Sequence, residues 1–171
     1  CIFNFNGKNV AFLICEDCWN DPITNSDIRY EDNPLFEIGE RNAFASLDKQ
    51  LVEALVTINA SPSHVGKEKA RRKMYSRLAK SFGVTVVYVN QVGGNDDLVF
   101  DGHSFVCGKD GKLVTSAAGY QEDAVFVNVQ PKATDARLVR IIGSKRSEHL
   151  VEHLKLGIKD YVRKNGFKSV V

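Results

Sequence analysis

The sequence lacks a net charge large enough to suggest a class of binding partner. Its 23 lysines and arginines face 21 aspartates and glutamates, so the formal net charge at pH 7 is +2. So small a charge creates no bulk field that would attract nucleic acid or an anionic membrane. No apolar run approaches the roughly 18 residues that a membrane-spanning helix requires. We therefore expect neither nucleic acid nor a membrane as a partner, and partners have to be inferred from individual sites.

Cysteine and histidine are both scarce, at four residues each in a chain of 171. The sequence has no pattern typical of a signal peptide, so we expect a cytoplasmic protein with reduced thiols. Its cysteines should then be catalytic, metal-binding or buried, and not members of a disulfide framework. With 43% hydrophobic and 26% charged residues, the composition is that of a globular domain with one core.

Cys15 and Cys18 form a C-x-x-C pair, which is typical of redox-active dithiols and of half a zinc site. The redox interpretation requires the pair to open a helix, but Asp21-Pro22 soon follows and is a poor helix start. The zinc interpretation needs two further ligands, and His149 and His153 fall in a distant helical stretch. We favour neither interpretation, expect no metal, and regard Cys18 as structural.

An apolar stretch from Val10 to Ile14 ends abruptly in Cys15-Glu16-Asp17. It is long enough for one buried strand. A side chain on a sharp turn after such a strand stands clear of the sheet, where backbone N–H groups can stabilise an oxyanion. This predicts that Cys15 is a nucleophile. The residues alone leave a buried structural cysteine equally open, because His64 and His103 come with no orienting partner that would make either a convincing base.

The N-terminal third predicts a hairpin followed by an irregular segment. Asn6-Gly7 between the apolar runs Ile2–Phe5 and Val10–Ile14 is a strong hairpin signal. The polar stretch from Asn20 to Asn42 predicts a long surface excursion, with a short helix over Phe36–Ser46.

The centre of the chain predicts a strand–helix–strand unit with a parallel pair of strands and a right-handed crossover. We expect a short helix over Asp48–Ala54, a strand over Leu55–Asn59 and a strand over Val84–Val89. The helix between the two strands closes at Gly83, and its apolar residues recur every four positions, at Ala70, Met74, Leu78 and Phe82.

The remainder predicts a loop, a meander and a helix. The loop is Gln91–Asp97, and the meander strands are Ser104–Cys107, Leu113–Ser116 and Ala124–Val129. Gln130–Ser144 is expected to be a linker, after which an amphipathic helix ends at Asn165-Gly166. Phe167–Val171 is similar to the opening of another strand. Because residue 1 also falls within a strand-like pattern, we expect an internal segment of a longer protein.

Four strings of residues, in order along the chain, resemble the nitrilase (carbon–nitrogen hydrolase) superfamily. Within it they are similar to the glutamine-hydrolysing domains of glutamine-dependent NAD synthetases. The first string, Leu13–Trp19, resembles the nucleophile motif. The other three are Asn59–Lys67, Val87–Gly102 and Leu156–Phe167. The resemblance covers nearly the whole chain apart from the excursion at 20–46.

The resemblance implies an α/β fold, an α-β-β-α sandwich that is incomplete at its N-terminus, with a Glu-Lys-Cys triad. Cys15 would be the nucleophile, a Glu the general base, and a Lys would stabilise the oxyanion together with the N–H of Glu16. In the family both partners precede the nucleophile by tens of residues, so they would lie before residue 1. Residues 1–130 would be the C-terminal part of the carbon–nitrogen hydrolase domain and 131–144 a linker. Residues 145–171 would be a helix and first strand leading into a synthetase domain.

Three substrate-binding residues are also implied by the resemblance. Glu16 would bind the α-ammonium group of glutamine, Ser61 would hydrogen-bond the substrate, and Lys67 would meet the α-carboxylate. Their alternative interpretations are an exposed turn residue, a helix N-cap and one member of a solvated basic helix face. The other members of that face are Lys69, Arg71, Arg72, Lys73, Arg77 and Lys80.

The implied function is a glutamine amidohydrolase within an NAD synthetase, which releases ammonia through a cysteine thioester for ATP-dependent amidation of deamido-NAD. The implied partners are glutamine, a synthetase domain of the same chain, and further copies in a homo-oligomer. ATP and Mg²⁺ would serve the complete enzyme, whereas this chain would need no cofactor and would be inactive alone. Two alternatives stay open: a free-standing amidase of the same superfamily, and a non-catalytic scaffold that binds partners through its basic helix.

Overall fold

The computed structural model describes residues 1–19, 35, 38, 51–128 and 146–171. Within them, six strands form one mixed sheet and two more form a separate hairpin. The described ranges contain two long helices, α1 over Lys67–Phe82 and α2 over Arg146–Lys164. The strands are β1 Ile2–Phe5, β2 Lys8–Ile14, β3 Val52–Asn59, β4 Thr85–Asn90, β5 Val92–Asn95, β6 Leu98–Asp101, β7 Phe105–Cys107 and β8 Leu113–Ser116.

The six-stranded sheet has the order β1-β2-β3-β4-β7-β8. Strands β2, β3 and β4 are parallel, and α1 connects β3 to β4, which confirms the predicted strand–helix–strand unit. Ile14 pairs with Ile58, and Asn59 pairs with Asn90, so the three parallel strands end side by side. Whatever follows these ends is therefore brought to one edge of the sheet.

The predicted N-terminal hairpin is also confirmed. β1 and β2 pair antiparallel around Asn6 and Gly7, whose φ angles are 49° and 80°. Two consecutive residues with positive φ are the signature of a type I′ turn, whose twist matches that of the flanking strands. Asn4 supports the turn, because its Oδ1 accepts a hydrogen bond of 3.1 Å from the N–H of Gly7.

Helix α1 packs on one face of the sheet and forms the core with it. Gly83 ends the helix as predicted, with a φ of 62° and an N–H that donates to the carbonyl of Ala79. Tyr75 from α1, Tyr88 from β4 and Phe105 from β7 pack against one another in sequence, with centroids 4.8 Å apart at each step. All three side chains are buried.

The opposite face of the same sheet is apolar and exposed among the described residues. Phe3, Phe5 and Phe12 form a ring cluster there, with centroid distances of 5.8–6.3 Å. Ile14 and Ile58 lie in register across neighbouring strands and are 67% and 50% exposed. One face of the sheet is thus packed by α1, while within the described residues the other face leaves apolar side chains of β1, β2 and β3 exposed.

Two local predictions are wrong. The predicted helix over Asp48–Ala54 is contradicted at its described end, because β3 already begins at Val52 with the burial alternation of a strand. The predicted loop Gln91–Asp97 instead contains β5, which pairs with β6. Its two glycines led to the loop prediction, because glycine is disfavoured in strands. Here glycine is favoured at position 94 because α2 approaches so closely that a Cβ would lie 3.3 Å from that of Asp160.

The meander is confirmed only in part. β7 and β8 match the predicted strands, whereas residues 124–128 form no strand within the described part of the chain. They pair with no strand within the described residues, and Phe126 is 95% exposed. Most of the predicted helix Phe36–Ser46 and the whole of the predicted linker Gln130–Ser144 lie outside the described residues.

Helix α2 matches the predicted C-terminal helix, with Gly166 at a φ of 71° just beyond its end. It docks on the β5–β6 hairpin through Gly94. The N–H of Gly94 donates to Asp160 Oδ2 at 2.7 Å, and Lys164 Nζ donates to the Gly94 carbonyl at 2.5 Å. At the helix start, the Tyr120 hydroxyl and His149 Nδ1 are 2.8 Å apart. Neither this helix nor any other in the described ranges is long and apolar enough to cross a bilayer.

Candidate functional site

Cys15 is the first residue after β2 and opens a one-turn 3-10 helix, Cys15–Cys18. Its φ of 46° is unusual for a residue other than glycine. Asp17 fixes the turn, because its Oδ2 accepts a hydrogen bond of 2.8 Å from the N–H of Ile14. The side chain of Cys15 is partly exposed and its thiol is free. This is the geometry of a nucleophile elbow, in which local backbone strain presents the reactive side chain.

Cys18 has a contrasting environment only three residues away. It is fully buried in the core, and burial raises the pKa of its thiol to about 12. A thiol with so high a pKa stays protonated near neutral pH and is a poor nucleophile. This placement agrees with the expectation that Cys18 is structural, and it separates the two cysteines chemically.

Ser61 lies two residues beyond the end of β3, beside the end of β4. Asn90, the last residue of β4, forms two hydrogen bonds with the backbone of Ser61. Asn90 Oδ1 accepts from the N–H of Ser61 at 2.9 Å, and Asn90 Nδ2 donates to the Ser61 carbonyl at 3.3 Å. The interpretation of Ser61 as a helix N-cap is wrong, because α1 begins at Lys67 after Gly66. Ser61 is 7% exposed and belongs to the polar cluster at the strand ends.

The position of Arg71 differs most from its sequence-based prediction. It was expected on a solvated basic face, but it is 4% exposed and points back at Ser61. Its Nη1 donates to Asp101 Oδ1 at 2.7 Å, forming an ion pair with both side chains almost fully buried. Arg72 is also partly buried, against Glu68 and the ring of Phe105. The exposed members of that face are Lys69, Lys73, Arg77 and Lys80.

Asp101 connects Arg71 to a histidine. Its Oδ2 lies 3.2 Å from Nδ1 of His103, which is 3% exposed. Burial by itself would raise the pKa of Asp101, but the hydrogen bond with His103 and the charge of Arg71 outweigh it, so the pKa is lowered. His103 meets the Tyr120 ring edge-on at 5.3 Å, and Tyr120 reaches His149 on α2. Burial lowers the pKa of His149, and the neighbouring His153 lowers it further.

A cavity of about 250 Å³ lies between α1 and the ends of the parallel strands. Lys67 is on its wall, with Nζ 5.8 Å from the centroid of the Trp19 ring. Neither Cys15 nor Glu16 is among the described residues that line it, although Cys15 is close enough to Tyr88 to influence its pKa. The lining residues are Trp19, Asn59, Ser61, Lys67, Ala70, Arg71, Met74, Tyr75 and Tyr88.

The structure therefore brings together two of the four predicted site residues at the cavity, Ser61 and Lys67, and Cys15 opens the turn that precedes Trp19 on its wall. Glu16 is on the exposed side of the turn. Sequence reasoning missed Asn59 and Asn90, although a signal was available. Each is the last residue of a parallel strand, and ligands of α/β sheets bind outside the carboxyl ends of such strands.

Comparison with known proteins gives one consistent result. No protein-family model matches the sequence. A glutamine-dependent NAD(+) synthetase of Synechocystis sp. is 33% identical over 99% of this chain but only 29% of its own length. That of Aquifex aeolicus is 33% identical over 97% of this chain and 32% of its own. The chain thus spans about a third or less of these curated relatives.

Solved structures agree on the fold. The glutamine-dependent NAD+ synthetase of Acinetobacter baumannii, determined with ADP, superposes with a TM-score of 0.75 at 28% identity, over 99% of this chain and 29% of that one. A CN-hydrolase superfamily protein of Xanthomonas campestris has a TM-score of 0.51 at 16% identity, over 72% of this chain and 40% of its own, and that likeness concerns the fold alone. The expected fold class, a nitrilase-like α/β sandwich, is confirmed.

Proposed function

We propose that this chain, a homologue of one segment of the glutamine-dependent NAD(+) synthetases, is the Cys15-bearing part of a glutamine-hydrolysing domain. The observation that carries the proposal is Cys15 itself. Its partly exposed thiol sits on a turn of positive φ at the end of a parallel strand, and Trp19, which follows that turn, lines the cavity. Elbows of this kind expose a nucleophile and direct backbone N–H groups at the developing oxyanion.

In the proposed reaction, the Cys15 thiolate attacks the side-chain amide carbon of glutamine. A tetrahedral intermediate forms, its oxyanion is stabilised in part by the N–H of Glu16, and it collapses with protonation and loss of ammonia. Water then attacks the glutamyl thioester, releasing glutamate and restoring the thiol. A general-base Glu and an oxyanion-stabilising Lys are proposed to precede residue 1, so the chain alone should be inactive.

The described residues support such a division of the domain. The sheet face that carries Phe3, Phe5, Ile14 and Ile58 is apolar and exposed, as expected if another layer of the sandwich covers it in a longer protein. We propose that residues 1–130 belong to the hydrolase domain and 131–144 to a linker. Residues 145–171 would lead into a synthetase domain.

For substrate binding we propose that Lys67 meets the α-carboxylate, Glu16 the α-ammonium group, and Ser61 a further polar group of glutamine. Ser61 and Lys67 share one cavity wall, which supports their common role. Glu16 is exposed on the Cys15 turn, so it would contact substrate from the outer side of the thiol.

The complete protein would use the ammonia to amidate deamido-NAD with ATP and Mg²⁺ in its synthetase domain. Within the described ranges, no group of three or more His, Cys, Asp or Glu side chains is arranged to hold a metal ion, and we propose none for this part. We further propose a cytoplasmic homo-oligomer.

The test uses the complete protein and measures NAD formation with glutamine or with ammonium as the nitrogen source. Cys15→Ala should abolish glutamine-driven but not ammonia-driven formation, whereas Cys18→Ala should retain both. Retention of glutamine-driven activity by Cys15→Ala would contradict the proposal. Glutamine hydrolysis that depends on Cys15 without any NAD formation would favour the free-standing amidase instead.

A further inference from the structure

Ser61 is held in a way that fixes the direction of its hydrogen bonds. Arg71 Nε donates to Ser61 Oγ at 3.2 Å, and Nη2 donates to the Ser61 carbonyl at 2.7 Å. A guanidinium group carries donors and no acceptor. Ser61 Oγ must therefore accept in this pair, and its own proton is left to be donated elsewhere.

Tyr88 places a second hydroxyl beside the first. Its side chain is 1% exposed, yet its hydroxyl has no hydrogen-bond partner with good geometry among the described residues. Ser61 is near enough to lower the pKa of Tyr88, although burial dominates and raises it to about 12. Two hydroxyls that share one hydrogen bond still leave one proton without an acceptor. The phenol is neutral at physiological pH, so it remains a donor.

The surrounding charges favour an acceptor in the cavity. Lys67 contributes a cation to the same wall, while the charge of Arg71 is compensated by Asp101 at 2.7 Å. The carboxamide groups of Asn59 and Asn90 are already engaged with Thr57, Val89, Ser61 and Gly102. A ligand oxygen next to Ser61 would gain hydrogen bonds, whereas an ammonium group would face donors.

We propose that Ser61 and Tyr88 form a donor pair for the α-carboxylate of glutamine, and that Arg71 is the positioning residue that gives the pair its polarity. The proposal rests on the proposed glutaminase function. It adds Tyr88 and Arg71 to the substrate-binding residues that the resemblance implies, and it assigns Ser61 to the carboxylate end of the substrate. Asp101 and His103 act behind Arg71, since they hold the guanidinium in place.

The first experiment is a double-mutant cycle in the complete protein. Kinetic constants for glutamine are measured for the wild type, Ser61→Ala, Arg71→Lys and the combined variant. Each single change should raise KM about tenfold, the typical effect of losing one hydrogen bond. If Arg71 acts through Ser61, the combined variant should be no worse than Ser61→Ala alone. Independent, multiplying effects on KM would overturn the positioning role.

A substrate comparison tests the polarity. Glutaramate keeps the amide and the carboxylate of glutamine but lacks its α-amino group. The KM penalty of Ser61→Ala should persist with glutaramate if Ser61 binds the carboxylate. Disappearance of the penalty would place the α-ammonium group at Ser61 and overturn the inference. Failure of the underlying function would look different, because the wild type would then hydrolyse neither compound in a Cys15-dependent way.

Tyr88→Phe keeps the test decisive should the Arg71 variant fail to fold. The lost hydroxyl makes no hydrogen bond of good geometry within the described residues, so the variant should unfold no lower than the wild type while its KM for glutamine rises. Tyr75→Phe serves as the stability reference, because the Tyr75 hydroxyl bonds Asn59 Oδ1 at 3.4 Å. A lower unfolding temperature with unchanged KM for Tyr88→Phe would show a purely structural residue.

Discussion

The two strand ends that border the candidate site are built in opposite ways. Cys15 stands partly exposed on a turn with positive φ, supported mainly by the hydrogen bond between Ile14 and Asp17. Ser61 is buried, and its N–H, carbonyl and hydroxyl oxygen are all hydrogen-bonded to Asn90 or Arg71. One end presents the proposed nucleophile at some cost in backbone strain, and the other holds the proposed binding residue through several hydrogen bonds. Changes at the first should affect chemistry, and changes at the second should affect stability and affinity.

The sharpest way to break this contrast is Cys15→Gly. Loss of the nucleophile should reduce glutamine-driven activity at least about 10³-fold. Because glycine adopts a φ of 46° without strain, the free energy of unfolding should rise by about 1 kcal/mol. Chemical unfolding and activity of the complete protein check both effects, with Cys15→Ala as the control that keeps a Cβ. Equal stability of the two variants would show that the turn is not strained.

Arg71→Met tests the rigid side. It removes one partner of a buried ion pair and leaves the Asp101 carboxylate uncompensated, which should cost about 3–5 kcal/mol of unfolding free energy. Arg77→Met on the exposed side of the same helix is the matched control and should change stability by less than about 0.5 kcal/mol. Similar losses for both variants would mean that the buried cluster contributes nothing special.

Gly119→Ala probes the packing behind that cluster. A Cβ at Gly119 would lie 2.0 Å from Nε2 of His103, so the imidazole would have to move away from Asp101. Overpacking of this kind should cost about 1–3 kcal/mol. Gly108→Ala, whose Cβ would lie 3.3 Å from the exposed Asp110 carboxylate, should cost much less. Thermal unfolding compares the two, and a neutral Gly119→Ala would place His103 in a looser site.

The smallest expected effect is on pH dependence. Since the folded-state pKa of Asp101 is lowered below its ordinary value of 3.8, its ionised form stabilises the fold. That contribution is complete above the unfolded-state pKa and is lost as the pH falls through the folded-state value. Asp101→Asn should therefore flatten the acid limb of stability measured below about pH 4. An unchanged acid limb would contradict the lowered pKa.

Much of the fold could be predicted because local signals coincide with tertiary structure there. Asn6-Gly7 specified its turn, and the four-residue spacing of Ala70, Met74 and Leu78 specified α1. Gly93 and Gly94 led to the wrong prediction of a loop. The close approach of α2 that favours glycine in β5 cannot be inferred from the local sequence. The sequence of α1 also does not show which of its basic side chains is buried against the sheet.

The turn that carries Cys15 could be predicted from the sequence, whereas the residues that support the site could not. The abrupt end of an apolar run indicated the turn at Cys15, and the structure shows that turn. Burial of Arg71 depends on Asp101, which lies 30 residues away, and on a serine held by the neighbouring strand. Such contacts arise only when three parallel strands end at one edge, which is a property of the assembled sheet.

The most direct test of the central claim is to treat the complete protein with a glutamine-mimicking diazo-ketone and locate the adduct by peptide mass spectrometry. We expect a single adduct on Cys15, suppressed by glutamine and accompanied by loss of glutamine-driven but not ammonia-driven NAD formation. The buried, protonated thiol of Cys18 should remain unlabelled. Labelling of Cys18, or labelling that glutamine does not suppress, would contradict the assignment of Cys15 as the glutaminase nucleophile.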